Sequence, residues 1–394
     1  MSTTSGIRSR DVGPDVVSGP KQGPRAARAR GAALYFVVAV ALLSPVGAAA
    51  QSTTVATPPA GYFKLGVRGA ADTALSVPLA RRSALLAHVA AVTATSLTLD
   101  VAGVPDGTYA PTATGGYYLQ FTTGALEGLC LGVTAQTGGT FIVATGRSDL
   151  TNHPLGSIVT GVDGDLVRVR PFWTVSDVFG NTEPALLLDP TADHSGAVYI
   201  ESDAILAPAN ARTGADKSPA AELAYVAGTG WRDRGDADSE RAGTPLPPGE
   251  GFTVRRQSVA PVEIVVVGYV PQEQFVLPLP PVDAGEAHDV LVGAAVPVDR
   301  TLADSGLAAT DATHGAITTR SDLATAGDEV LESGADRAGL ALPAERRFAL
   351  LAEGWVEADA AASDHPLLPG VGYLLRLHGP RDQRFWVQPA VEEP

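Results

Sequence analysis

The sequence predicts an all-β chain: an N-terminal small barrel or sandwich followed by two tandem, related β-rich modules. Three observations carry that expectation. Short runs rich in Val, Ile, Thr, Tyr and Phe recur at regular spacing; 43 Gly and 30 Pro punctuate them; and helical periodicity is scarce beyond residue 50. The expected order is a signal peptide (1–50), a linker (51–57), the first β-domain (58–172), one module (173–277), a linker (278–297) and a second module (298–394).

The leader is read first. Arg8, Arg10, Lys21, Arg25, Arg28 and Arg30 face only Asp11 and Asp15, and an apolar run from Ala32 to Leu43 follows. Pro45 and Gly47 break the run, and Ala48-Ala49-Ala50 precedes Gln51. A basic start, a short apolar core and a small-residue cleavage site make a secretory signal peptide. The apolar core falls short of the ~20 residues that span a bilayer, so cleavage and export are expected, with no membrane insertion afterwards. Residues 1–50 hold six basic and two acidic side chains. The remainder keeps 22 basic against 41 acidic residues, a net charge of −19 where the whole chain has −15. Such a surface argues against nucleic acid as a partner.

In the first domain, strands are expected at 88–100, 116–122, 128–134, 140–144 and 165–171, with Gly138-Gly139 as a hairpin turn. Beyond Trp173 the chain echoes itself. Asp203, Leu206, Arg212 and Gly214 align without a gap to Asp328, Leu331, Arg337 and Gly339. Pro219 and Trp231 match Pro343 and Trp355; Pro248-Gly-Glu-Gly-Phe252 matches Pro369-Gly-Val-Gly-Tyr373; and Arg255 matches Arg376. Thr174-Val-Ser-Asp177 has a weaker counterpart in Thr301-Leu-Ala-Asp304. Four motifs in one order predict a duplication. Each Pro-Gly predicts a type II turn that opens a strand. Leu223–Val226 and Phe348–Leu351 are the strands entering the two Trp. The apolar run Val262–Val267 predicts a strand covered on both faces, and Pro278-Leu-Pro-Pro281 a linker.

Several of these segments resemble one known group. Gly61-Tyr-Phe-Lys-Leu-Gly-Val, Ala71–Leu79, Tyr117–Gly128, Arg170-Pro-Phe-Trp-Thr174, Gly230-Trp-Arg232 and Pro248–Phe252 are similar to an exported family described mainly from verrucomicrobial bacteria. The resemblance spans about 58–394. It implies export and brings no catalytic residue, because the family has no assigned activity. Gly354-Trp-Val-Glu357 departs from the pattern by lacking the Arg after Trp.

No reaction is legible. Three of the seven His adjoin an acid, at Asp193-His194, His288-Asp289 and Asp364-His365, but neighbours on a strand point to opposite faces. The other four are His88, His153, His314 and His378. No nucleophile elbow or zinc-helix motif accompanies them, so catalytic residues stay unassigned, and no cofactor or metal is expected. Asp236, Asp238 and Glu240 alternate as calcium ligands would, yet Arg241 stands where the loop needs Gly, which favours a solvated hairpin loop. Trp173, Trp231, Trp355 and Trp386 suit core packing better than sugar stacking, and Cys130, the one cysteine, suits an inert thiol. The expectation is a secreted or cell-envelope protein with a non-enzymatic structural or binding role toward an extracellular glycan or envelope protein. An extracellular polysaccharide-active enzyme using acidic residues is the alternative, and a calcium-stabilised adhesin the second.

Overall fold

A computed structural model describes residues 59–146, 149–181, 203–333, 344–358 and 360–391. The expected signal peptide, the linker 51–57, the Asp193-His194 pair, and the matched residues Arg337, Gly339 and Pro343 lie outside them.

The chain is all-β. It opens with β1 (Ala60–Val67) and β2 (Ala71–Ser76). Six strands then close into a barrel in the order β3-β4-β7-β6-β5-β8: β3 (Leu85–Val92), β4 (Ser96–Leu99), β5 (Tyr117–Phe121), β6 (Cys130–Thr137), β7 (Thr140–Val143) and β8 (Leu166–Pro171). Next come β9 (Trp173–Thr174), α1 (Val175–Phe179), β10 (Ala204–Ala207), β11 (Ala221–Val226), β12 (Gly230–Asp233), β13 (Asp236–Glu240), β14 (Pro245–Leu246), β15 (Gly251–Arg256) and β16 (Val262–Tyr269). The final group is β17 (Phe275–Leu279), β18 (Ala287–Gly293), β19 (Arg300–Thr301), β20 (Glu329–Glu332), β21 (Arg346–Leu351), β22 (Gly354–Glu357), β23 (Ala360–Ala361), β24 (Pro366–Leu367), β25 (Gly372–His378) and β26 (Arg384–Gln388). Among the described residues no helix is long and apolar enough to cross a membrane.

Two groups of strands share one pairing order. The first half pairs β1 with β16 and β9 with β14, and builds the sheet β13-β12-β11-β10-β15-β2. The second half pairs β17 with β26 and β19 with β24, and builds β23-β22-β21-β20-β25-β18. Strand for strand, the two lists correspond.

This topology corrects the domain boundaries drawn from sequence. The barrel does not begin at 58. β1 and β2 pair with β16 and β15 of the first half, and the barrel is an insertion between β2 and β9. Nor is 278–297 a linker. It contains the end of β17 and all of β18, which pairs with β25 through seven positions. Pro278 misled because proline disfavours a central strand; here it sits in a two-stranded ribbon opposite Phe385, where the missing N–H is tolerated. The run Val262–Val267 is not covered on both faces either. β16 alternates, with Ile264 and Val266 buried while Val265 is 53% and Val267 67% exposed, because its ribbon with β1 packs on one side only.

Each region has its own core. In the barrel, Val89, Leu97, Leu119, Phe121, Phe141, Val167 and Val169 point inward, as alternation on closed strands demands. At the β6–β7 hairpin Gly138 takes φ +55°, and a Cβ on Gly139 would meet the Leu99 carbonyl at 2.9 Å. Val276 and Phe385 of the second half belong to this same core, so the barrel grows from the first half and rests on the second half's ribbon. The Val276 N–H donates to Gly128 O at 3.0 Å, and the Gln274 side chain donates to Glu127 O at 2.8 Å.

The halves meet reciprocally. The Ser76 N–H donates to Gly370 O and the Gly293 N–H to Gly249 O, both at 3.0 Å. Gly249 and Gly370 are the Pro-Gly turns expected from sequence, with φ +76° and +81°. Each lies against a phenylalanine of the opposite half: a Cβ on Gly249 would come within 2.3 Å of the Phe275 ring, and one on Gly370 within 2.4 Å of Phe63.

Candidate functional site

The residues matched between the halves come first, because their geometry shows what they do. Trp231 is fully buried and donates its indole N–H to Gly180 O at 2.7 Å; Trp355 is buried in the second core. Trp386 donates to Ser305 O and Trp173 to Leu79 O. Asp203 accepts from the Gln257 N–H and from Arg256, both at 2.7 Å. Asp328 accepts from the His378 N–H at 2.7 Å and from Arg381 at 3.0 Å. Arg255 grips Asp72 through two 2.8 Å bonds, and Arg376 grips Asp289 at 2.8 and 2.9 Å. Thr174 and Thr301 donate through N–H and hydroxyl to Asp177 and Asp304. All these groups are spent on one another.

The expected solvated loop after Trp231 is an edge strand. Asp236–Glu240 is β13, and the turn is only Arg234-Gly235, because Asp233 accepts from the Gly235 N–H at 2.9 Å. Among the described residues no three His, Cys, Asp or Glu stand together in metal-binding proximity. Burial pushes the Cys130 thiol well above its ordinary range, so the thiolate is disfavoured at neutral pH.

The acid–His neighbours part company. His365 Nε2 lies 3.0 Å from Glu332, not beside Asp364, while Arg346 donates to its Nδ1 at 3.0 Å and the ring stacks on Phe348. Arg346 in turn holds Glu357 at 2.6 Å, which keeps that carboxyl below its ordinary range. The cluster is internally satisfied. Beside His288, Asp289 is taken by Arg376 and by the Asp216 N–H at 2.7 Å; burial works against its charge, but these donors hold its carboxyl below the usual range. His288 itself turns elsewhere.

It borders a cavity of about 480 Å³. Three parts of the fold wall it: Leu129, Leu131 and His153 from the barrel, Asn210 and Glu250 from the first half, and Leu277, Pro280, His288 and Phe385 from the second. Asn210 fixes the junction. Its Oδ1 accepts from the Leu291 N–H at 2.9 Å, and its Nδ2 donates to Leu291 O at 3.0 Å and to Glu250 Oε2 at 3.2 Å. The His288 Nε2–H donates to Asn210 O at 3.0 Å, which leaves Nδ1 buried with no partner. His153 Nδ1 accepts from the Leu155 N–H, and its ring lies against Phe385. Burial lowers both imidazoles' affinity for a proton and raises that of Glu250, which the Asn210 amide only partly offsets. At neutral pH both imidazoles are therefore uncharged, and Thr145, Thr213, Gln383 and Glu250 add polar groups to the wall.

Sequence reading missed this site. Glu250 was read only as part of a turn motif, and Asn210 as an unmatched position inside an aligned segment. A second cavity of about 410 Å³ contains Asp328 and Arg381, which bond each other. Compared with protein-family models, curated proteins and solved structures, the chain matches none.

Proposed function

We propose that the chain is an exported, non-enzymatic binding protein that holds a small ligand in the cavity between the barrel and the two halves. One observation carries this reading: a cavity of about 480 Å³ is walled by the barrel and both halves, and Glu250, Gln383, Thr145 and Thr213 break its otherwise largely apolar lining. Export rests on the leader pattern of residues 1–50 and on the resemblance to an exported family. The shared strand order supports a duplication as the origin of the halves.

Among the described residues the cavity wall carries one carboxylate, Glu250, where glycoside hydrolysis ordinarily uses two. That favours binding over the polysaccharide-active alternative. The test is native mass spectrometry of the chain recovered from the medium or periplasm, together with a hydrolysis assay on a glycan panel. The expected result is a chain beginning near Gln51 that retains a small molecule and releases no sugar. Glycan cleavage lost in Glu250→Gln would replace this reading with the enzymatic one.

A further inference from the structure

The halves depart from their shared plan at Glu250 and His288, which stand where the other half has Val371 and Ala71. A third departure lies away from that cavity. Each half buries one carboxylate against a guanidinium, Asp203 against Arg256 and Asp328 against Arg381. The second half has a further guanidinium beside this pair. Arg384 opens β26 opposite Leu279, as Val262 opens β16 opposite Val67. Four residues earlier on the partner strands, Phe275 and Phe63 each meet the Pro-Gly turn of the other half, which fixes the match. Val262 packs on its own core, so the strand plan asks for an aliphatic side chain where Arg384 stands.

Arg384 does not serve the fold as an ion pair. Among the described residues it has no carboxylate partner, and its Nη1 is buried without a hydrogen bond. It also lies near a like charge: burial, opposed by Asp328 and aided by Arg384, holds the Arg381 guanidinium below its ordinary range. Such a cation costs stability until an anion completes it. Nη1 is closed off, but the other edge of the guanidinium is not. Nε and Nη2 are neither bonded nor enclosed among the described residues, and Arg384 lines the cavity of about 410 Å³ together with Thr318, Asp328, His378, Arg381 and Asp382.

That edge has a use elsewhere in the molecule. Arg255 holds Asp72, Arg346 holds Glu357 and Arg376 holds Asp289 through Nε and Nη2, one carboxylate oxygen to each nitrogen, at 2.6 to 2.9 Å. A planar carboxylate matches two parallel N–H groups, so the fork selects by shape as well as charge. Charge sets the valence. Arg381 is spent on Asp328, and Asp382 is an exposed acid of the same wall, so one guanidinium is free to pair a monoanion. A dianion such as sulfate finds no second free arginine in the wall of an acidic chain.

We propose that this cavity is a second ligand site, sharing no lining residue with the first, in which Arg384 holds the carboxylate of a small organic acid through Nε and Nη2. The His378 ring, unbonded among the described residues, stands in the same wall as a further donor.

The test is calorimetric titration of the purified chain at constant ionic strength with acetate, lactate and glucuronate, with sulfate and phosphate as separate arms. At least one carboxylate binds saturably, and more tightly than either sulfate or phosphate. Arg384→Val, which installs the residue of the first half, weakens that binding roughly tenfold or more. Arg384→Lys keeps the charge, loses the fork and also weakens it. Lys64→Ala, which removes an exposed cation elsewhere, leaves it unchanged. Binding of no carboxylate, carboxylate binding unchanged in Arg384→Val, or tighter binding of sulfate or phosphate overturns the proposal. Should Arg384→Val fail to fold, Arg384→Lys decides: carboxylate binding equal to the parent's overturns it.

Discussion

The first half carries a whole barrel between β2 and β9; the second crosses the same gap with residues 294–299. The barrel nevertheless covers the second half. Val276 and Phe385, on the ribbon β17–β26, lie in the barrel's core, while the ribbon β1–β16 exposes Tyr62, Val265 and Val267. An insertion in one half has become the roof of the other. The departures from the shared plan at Glu250 and His288 fall where that roof meets the interface, and the matched residues lie in the cores and ion pairs beneath. Matching thus marks what holds each half together, and the cavity draws on positions where the halves differ.

The strongest way to break this comparison is at the buried carboxylates. Asp203 and Asp328 occupy the same place in the two halves, each nearly inaccessible and bonded to a buried Arg. Asp203→Ala or Asp328→Ala strands a guanidinium in the interior, and each should destabilise by about 3–5 kcal/mol. Denaturant unfolding followed by fluorescence measures this. Because the halves exchange hydrogen bonds at Ser76–Gly370 and Gly293–Gly249, either variant should still unfold in one transition. Two separated transitions would show that the halves are independent.

A smaller effect tests the reciprocity of the interface. Gly249→Ala and Gly370→Ala each put a methyl group against the opposite half's phenylalanine at a positive φ. Each should cost about 1–3 kcal/mol, and by a similar amount in the two halves. A melting-temperature loss at one turn with none at the other would show that the contacts are alike in geometry but not in load.

The correspondence of the halves was legible in the sequence where local chemistry repeats: the Pro-Gly turns, Asp203 and Asp328, Arg255 and Arg376, the Thr–Asp turns. Each is a residue type required by a short-range geometry. The pairing of β2 with β15 was not legible, because Asp72 and Arg255 stand 183 residues apart with the whole barrel between them, and periodicity carries no information about such partners. β18 was hidden by the prolines before it and by polar residues at its start. The cavity was hidden for the same reason on a larger scale: its polar groups come from the barrel and both halves, and the one inside a motif, Glu250, belongs to a turn signature that says nothing of a cavity. Asn210 and Leu291, whose bonds set the junction, share no sequence signature.

The subtlest test asks what Glu250 costs. Burial raises its carboxyl's proton affinity above that in the unfolded chain. A group bound more tightly to its proton when folded contributes stability at low pH, and that contribution is lost as pH rises through the folded value. Burial depresses the His153 and His288 imidazoles, which gives the opposite slope: below about pH 6.5 the unfolded chain protonates first and stability falls. Glu250→Val should therefore melt a little above the parent at about pH 7.5, with the gap closing toward about pH 5. His288→Ala should flatten the acid-side decline. Melting curves across that range separate the two contributions. If Glu250→Val melted below the parent at about pH 7.5, the carboxyl would be holding Asn210 in place as a structural bond. The difference between Glu250 and Val371 would then reflect only which half must anchor the barrel, and the case for a ligand would rest on the cavity's volume and remaining lining alone.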